Sequence, residues 1–125
     1  MKNTEDLYLE MSDKINEKES VTGIKVLSEN ERKLYLVDSL LLEVNNGGFD
    51  QYLSNWTGEY WQETVSILDK LEINFLSNLV KKANEIYRSD KSEDDILEEL
   101  EELDNEFYDD LNYEDTYKKV LKLFI

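Results

Sequence analysis

The sequence predicts an all-α fold, a compact single-domain bundle of about six to seven helices around a central apolar helix. The 125 residues include no proline and only four glycines, the two residue types that most disfavour a helix interior. Apolar residues recur every three or four positions along most of the chain, which is the spacing of one helix face. Alternating, strand-like patterns are nearly absent. A chain of this length is expected to form one domain, residues 1–125.

The first helix is predicted to begin after Asn3 or Thr4, since both residue types cap helix N-termini. Its apolar line is formed by Leu7, Met11 and Ile15, at positions i, i+4 and i+8. This helix should therefore present one apolar face to the rest of the bundle.

The stretch Ser28–Phe49 predicts the central helix. Ser28 and Glu31 have the spacing of a capping box, in which each side chain bonds to the backbone amide of the other residue. One apolar stripe contains Leu34, Val37, Leu41 and Val44, and three more leucines lie outside it, Leu36, Leu40 and Leu42. A helix that is apolar on several sides is buried on several sides, so other helices should surround this one.

Polar residues and a double glycine complete the central helix. Asp38 and Asn45 lie at the edge of the apolar stripe, where polar groups usually form hydrogen bonds. The helix closes with Asn45, Asn46, Gly47, Gly48 and Phe49. The double glycine predicts a helix end, because a left-handed C-cap suits a residue without Cβ. A backbone-amide nest that binds an anion or carboxylate is the alternative interpretation.

Five more helical segments are predicted after the double glycine. Their ranges are 50–56, 60–71, 75–87, 93–111 and 113–124. Asn74 and Ser92 are the expected caps of the third and fourth segments. The fourth segment has one narrow apolar stripe, formed by Ile96, Leu100, Leu103, Phe107 and Leu111.

Most of the net charge of −16 lies between residues 90 and 115, where fourteen Asp or Glu accompany one lysine. As one helix, this segment would be roughly 39 Å long. Its charge density would be about one per 3 Å, close to the spacing of about 3.4 Å between phosphates on one DNA strand. The carboxylates predicted to point away from the apolar stripe or to flank it are Asp94, Asp95, Glu98, Glu99, Glu101, Glu102, Glu106, Asp109 and Asp110.

We interpret these nine carboxylates as a partner-binding surface. The alternative is a solvated helix face that only keeps the protein soluble. Repulsion between like charges at i, i+4 destabilises a helix, and little opposite charge is interleaved here to relieve it. That cost favours a role in binding.

Asp104 differs from the other carboxylates of this segment because it projects onto the apolar face, between Leu100 and Phe107. A carboxylate in that position needs hydrogen-bond donors or must be protonated. We expect Asp104 to be a structural acceptor, either for the amides of residues 45–48 or for an indole N–H.

Charge and composition argue against several function classes. The negative field opposes direct binding to nucleic acid or to an anionic membrane and favours basic partners. Without histidine or cysteine, the chain lacks the usual general base, the usual transition-metal ligands and thiolate chemistry. Phosphate-binding loops, nucleophile elbows and EF-hand spacing are absent from the sequence. We expect no enzyme activity, no cofactor and no metal, and a cytoplasmic location because no signal sequence or membrane-spanning run is visible.

The motif EVNNGGF, residues 43–49, resembles a bacterial family that contains DNA-mimic protein 19 and is otherwise known as a domain of unknown function. Further matching positions are Leu27, Ser28, Gln51, Tyr52, Asn55, Gly58, Leu103, Asp104, Phe107 and Tyr108. The resemblance implies an all-helical fold. For the founding member it also implies an acidic dimer that occupies the DNA-binding surface of a transcription factor, so a homodimer is open here too.

From the residues and the resemblance together we expect an acidic protein-binding inhibitor. It would be a DNA mimic that occupies the basic surface of a transcription factor or nuclease. The first alternative is an immunity protein that neutralises a nuclease toxin, with Tyr108 and Tyr113 as aromatic contacts among the acids. The second is an acidic scaffold with no mimic role.

Overall fold

The computed structural model describes residues 2–125, and all regular structure in that range is helical. The α-helices are α1 (Thr4–Thr22), α2 (Glu29–Ser54), α3 (Trp61–Lys70), α4 (Asn74–Tyr87), α5 (Glu93–Asp110) and α6 (Tyr113–Leu121). Short 3-10 turns cover Ile24–Val26, Trp56–Tyr60 and Lys122–Phe124. The predicted all-α class is confirmed, with six α-helices among the described residues.

α2 is the centre of the bundle, as its composition predicts. It packs against α1, α3, α4 and α5, while α1 also packs against α6. Ser28 and Glu31 form both hydrogen bonds of the capping box. The buried apolar residues of its first part come from more than one side of the helix, namely Leu34, Tyr35, Leu36, Val37, Leu40, Leu41 and Val44. Leu42, by contrast, is 58% exposed, so this side of α2 faces solvent.

The double glycine breaks α2 but does not end it. Gly47 (φ −153°, ψ 19°) and Gly48 (φ 76°, ψ −177°) are non-helical, and the helix resumes and continues to Ser54. The predicted left-handed C-cap is wrong, because Gly48 combines a positive φ with an extended ψ. The second part of α2 buries Phe49 and Tyr52 completely. The break therefore redirects the helix so that these two rings enter the core.

The predicted start of α1 is confirmed, but one residue of its predicted apolar line, Leu7, is not buried. Its cap is Asn3, whose side chain accepts a hydrogen bond of 2.8 Å from the Asp6 amide. Tyr8 and Ile15 are buried, whereas Leu7 is 46% exposed. The buried line of α1 therefore runs through Tyr8 rather than through Leu7.

The boundaries of α3, α4 and α5 differ from the predicted ranges by one residue. The expected cap of α4 is wrong: Asn74 is the first helical residue, and Ile73 occupies the cap position without a side-chain hydrogen bond. The expected cap of α5 is present, since the Ser92 hydroxyl accepts a hydrogen bond of 3.2 Å from the Asp95 amide.

The break in α2 predicts unequal effects of alanine at the two glycines. A Cβ on Gly48 would lie 2.2 Å from the Asp104 Oδ2 atom, and the backbone φ of +76° at this position is one that only glycine adopts readily. We expect Gly48→Ala to lower the free energy of unfolding by about 3 kcal/mol. At Gly47 the φ is negative, and the atoms that a Cβ would meet belong to the Gln51 side chain, with Oε1 at 2.1 Å and Cβ at 2.9 Å. Gly47→Ala should therefore cost less, about 1.5 kcal/mol. Urea unfolding of both variants measures the difference, and equal losses would contradict it.

Candidate functional site

α5 carries all nine predicted partner-binding residues, and one of its sides is fixed to the bundle. Leu100, Leu103 and Phe107 are buried, and α5 packs against α2 and α4. The Phe107 ring meets Phe49 of α2 edge-on, with ring centroids 6.1 Å apart. The opposite side of α5 is left to solvent.

The nine carboxylates form what we call the acidic ridge, defined as Asp94, Asp95, Glu98, Glu99, Glu101, Glu102, Glu106, Asp109 and Asp110. Eight of them are exposed to solvent, and Glu99 is partly buried. Glu99 forms an ion pair with Lys91, whose Nζ lies 2.7 Å from Oε1. Within residues 2–125, the other eight form no ion pair. The structure therefore brings the predicted residues together on one surface whose charge is almost unneutralised.

The outermost carboxylates of the acidic ridge are close to one another. At 100° per residue, six of them fall within an arc of roughly 100° around the helix axis. These six are Asp95, Glu98, Glu99, Glu102, Glu106 and Asp109. They extend over about 21 Å, or about one carboxylate per 4 Å, against about 3.4 Å between phosphates along one DNA strand. The linear charge density is thus of the same order as that of one nucleic-acid strand.

The acidic surface is shorter than the sequence predicts. Residues 90–115 are not one helix, because α5 ends at Asp110 and α6 begins at Tyr113. In α6 the acids are paired: Glu114 with Lys118 at 3.6 Å and Asp115 with Lys119 at 2.8 Å. Only the α5 part of the segment therefore forms a free anionic surface.

Asp104 forms a hydrogen bond with the backbone of α2 directly after the double glycine. Its Oδ1 accepts a hydrogen bond of 2.8 Å from the backbone amide of Phe49, so the donor is neither an amide of residues 45–48 nor an indole. Partial burial raises the pKa of the Asp104 carboxyl, the Phe49 amide lowers it, and the nearby Glu101 and Asp50 raise it further. Asp104 is thus a carboxylate that serves the helix junction rather than the exposed surface.

Two tyrosines add to this junction. The Tyr108 hydroxyl of α5 donates a hydrogen bond of 2.8 Å to the Val44 carbonyl, and the Tyr113 hydroxyl of α6 donates one of 3.1 Å to Asn45 Oδ1. Asn46 donates to Gln51 across the break at 3.1 Å. The motif around the double glycine is therefore held from within α2 and from two other helices. The alternative interpretation of the double glycine is a backbone-amide nest that binds an anion or carboxylate. The carboxylate that accepts a hydrogen bond here is Asp104, a residue of the same chain.

Asp38 forms a second buried polar contact, on the other side of α2. It is 4% exposed and accepts hydrogen bonds from the Tyr8 hydroxyl at 2.8 Å and from Asn16 Nδ2 at 3.0 Å. Burial raises the pKa of Asp38, the two hydrogen bonds lower it, and Asp13 raises it. Asp38 thus connects α2 to α1, a contact that the sequence pattern did not reveal because both donors lie far away in the chain.

Residues 2–125 contain neither a metal-ligand cluster nor a helix suited to span a membrane. That range contains no group of three or more acidic, histidine or cysteine side chains arranged to hold a metal ion. None of its helices combines the length and apolarity needed to cross a membrane.

The fold and the acidic ridge define a class of protein: a small all-helical bundle that concentrates negative charge on one exposed helix. A comparison with protein families agrees, because the model described as DMP19-like protein matches residues 25–125. The chain belongs to this family, and the resemblance seen in its sequence is confirmed. α1 precedes the matched residues. No curated protein and no solved structure matches the chain significantly.

The contact between Asp104 and Phe49 predicts that the Asp104 side chain supports stability. Asp104→Ala would leave the partly buried Phe49 amide without an acceptor, and we expect a loss of about 2 kcal/mol in the free energy of unfolding. Asp104→Asn keeps a neutral acceptor and should lose about 1 kcal/mol. Asp109→Ala, on the exposed side of the same helix, is the control and should lose nothing. Chemical unfolding that shows wild-type stability for Asp104→Ala would refute the structural role.

Asp38 predicts a particular pH dependence. A carboxyl whose pKa is higher in the folded protein binds its proton more readily when folded, so its contribution to stability is present below the unfolded pKa of about 4 and is lost as pH rises through the folded pKa. Asp38→Asn should therefore make the decline in stability above about pH 4 shallower than in the wild type. Urea unfolding across this range measures it. Asp95→Asn removes one exposed charge and should keep the wild-type profile, and identical profiles for the two variants would contradict the assignment.

Proposed function

We propose that the protein binds a basic nucleic-acid-binding protein and blocks the surface that contacts DNA. In this proposal the acidic ridge stands in for a row of phosphates, and the protein acts by binding and not as an enzyme. The observation that carries the proposal is the exposed, unpaired state of eight of the nine ridge carboxylates. Membership in the DMP19-like family also supports the proposal that the protein is a DNA mimic.

The chemistry of the ridge suits lysine and arginine. Carboxylates accept charge-assisted hydrogen bonds from both side chains, and arginine can bind a carboxylate with two parallel hydrogen bonds. Because no lysine or arginine within residues 2–125 pairs with those eight carboxylates, a partner would not have to displace an internal ion pair. The ridge is therefore ready for binding without rearrangement of its side-chain pairs.

The net charge of −16 acts at longer range. Such a field steers a basic partner towards the protein and raises the association rate, an effect that dissolved salt screens over about 8 Å at physiological ionic strength. The acidic ridge concentrates this negative charge on one exposed helix face. A partner that normally binds DNA would meet charge of the sign and spacing that its own basic surface fits.

This proposal predicts that affinity depends on ridge charge and on salt. Replacing Glu98, Glu102 and Glu106 together by glutamine should weaken binding of a basic DNA-binding partner about tenfold, since exposed ion pairs contribute about 0.2 to 1 kcal/mol each. The variant should also show a smaller loss of affinity with added salt. Partners are captured from a lysate on the immobilised protein and eluted with a salt gradient. Their affinity for the protein and for duplex DNA is then measured, with the protein expected to displace the DNA.

The control for this experiment removes the same number of charges from α1. Glu5→Gln, Asp13→Asn and Glu17→Gln change exposed acids outside the ridge. This variant should bind within about twofold of wild type, because only the long-range part of the field changes. Equal weakening of both triple variants would show that total charge, and not the ridge, is responsible. Affinity that does not change with salt would overturn the proposal.

A further inference from the structure

Two exposed apolar side chains interrupt the charge of α5. Leu97 is 42% exposed and Tyr108 is 47% exposed. They belong to a set of five residues that fall within an arc of roughly 80° on one side of the helix. In the order i, i+4, i+8, i+11 and i+15, these are Glu93, Leu97, Glu101, Asp104 and Tyr108. Leu97 lies outside the buried stripe of α5, so the core does not require it. A surface that imitated phosphates alone would have no use for Leu97, whereas Tyr108 also serves the fold through its hydrogen bond to the Val44 carbonyl.

Leu97 lies in a groove between α5, the end of α4 and the second part of α2. The groove is lined by Asp50, Ser54, Tyr87, Lys91, Glu93, Ile96 and Leu97. Its apolar lining comes from Leu97, the partly buried Ile96 and the ring of Tyr87. Asp50 and Glu93 form no ion pair within the described residues, and Lys91 is bound to Glu99. The groove is thus lined by apolar side chains beside two carboxylates, Asp50 and Glu93, that form no ion pair within the described residues.

Tyr108 lies about three helical turns, or roughly 16 Å, from Leu97 along the same side. Its ring is held in place, because its hydroxyl donates to the Val44 carbonyl and the ring packs edge-to-face with Phe107, with centroids 5.7 Å apart. A fixed aromatic ring loses little conformational entropy when a partner covers it. Aromatic residues in such positions often contribute strongly to protein–protein binding.

We propose that the side of α5 with Leu97 and Tyr108 selects a cationic protein segment that presents apolar side chains between its basic residues. An apolar side chain of the partner packs on Leu97 in the groove, and flanking lysine or arginine residues face Asp50, Glu93 and Glu101. This inference rests on the proposed function and narrows it. The occupant follows from charge complementarity: apolar side chains beside carboxylates without an internal partner fit a segment that is both basic and apolar. Nucleic-acid mimicry then supplies attraction, while apolar contact supplies selectivity.

The test uses two synthetic basic peptides of about sixteen residues with equal charge. One consists of lysine and serine, and in the other a leucine and a phenylalanine replace two of the serines. At moderate salt the wild-type protein should bind the second peptide about tenfold more tightly, because apolar area is buried. Leu97→Ser should reduce this preference to about twofold. It should leave the affinity for the lysine–serine peptide and its salt dependence unchanged, since no charge is altered.

The matched control is Leu9→Ser on α1, where the leucine is 44% exposed and should not affect the preference. Thermal unfolding checks that both variants fold. Equal binding of the two peptides by wild type, or an unchanged preference in Leu97→Ser, overturns this inference while salt-sensitive binding by the ridge still supports the proposed function. If neither peptide binds at low salt, the proposed function fails, and the inference fails with it.

Discussion

The hydrogen bond between Asp104 and the Phe49 amide is the interaction on which the arrangement of the surface depends. A break in the central helix leaves a backbone amide without its usual intrahelical acceptor, and a carboxylate of α5 accepts from it at 2.8 Å. Tyr108 ties the same two helices together through the Val44 carbonyl. These bonds, with the buried ring of Phe107, fix the rotation of α5 about its own axis. That rotation decides which carboxylates face solvent.

The carboxylates of the protein separate into two physical kinds. Asp38 and Asp104 are buried or partly buried, have raised pKa values and accept hydrogen bonds from other helices. The ridge carboxylates face water and, Glu99 apart, form no ion pair within residues 2–125. The first kind serves the fold and the second is available to a partner, although both are acidic residues in a strongly acidic chain.

Periodicity was sufficient to predict the helices, the central position of α2 and the outward direction of the ridge, because each depends on spacing within one element. It failed where a distant residue decides the outcome. The double glycine has the local pattern of a helix end, but the helix continues after it. Asp104, 55 positions beyond Phe49, accepts a hydrogen bond from the Phe49 amide at this break. In α1 the choice between Leu7 and Tyr8 as the buried residue follows the bond from Tyr8 to Asp38. The exposure of Leu97 could have been noticed from its displacement off the buried stripe, but the groove beside it needs three helices to form.

The outward side chains of α5 have a consequence for how such a protein can change over time. Since eight of the ridge acids form no ion pair with the rest of the bundle, substituting them removes no internal contact of that kind. Mutations on that side of α5 can therefore accumulate and, under the proposed function, change which partner is bound. The Gly48–Asp104 junction tolerates little alteration because the two residues are in close approach. Under the proposed function, a single scaffold of this type gives rise to proteins that bind several unrelated targets.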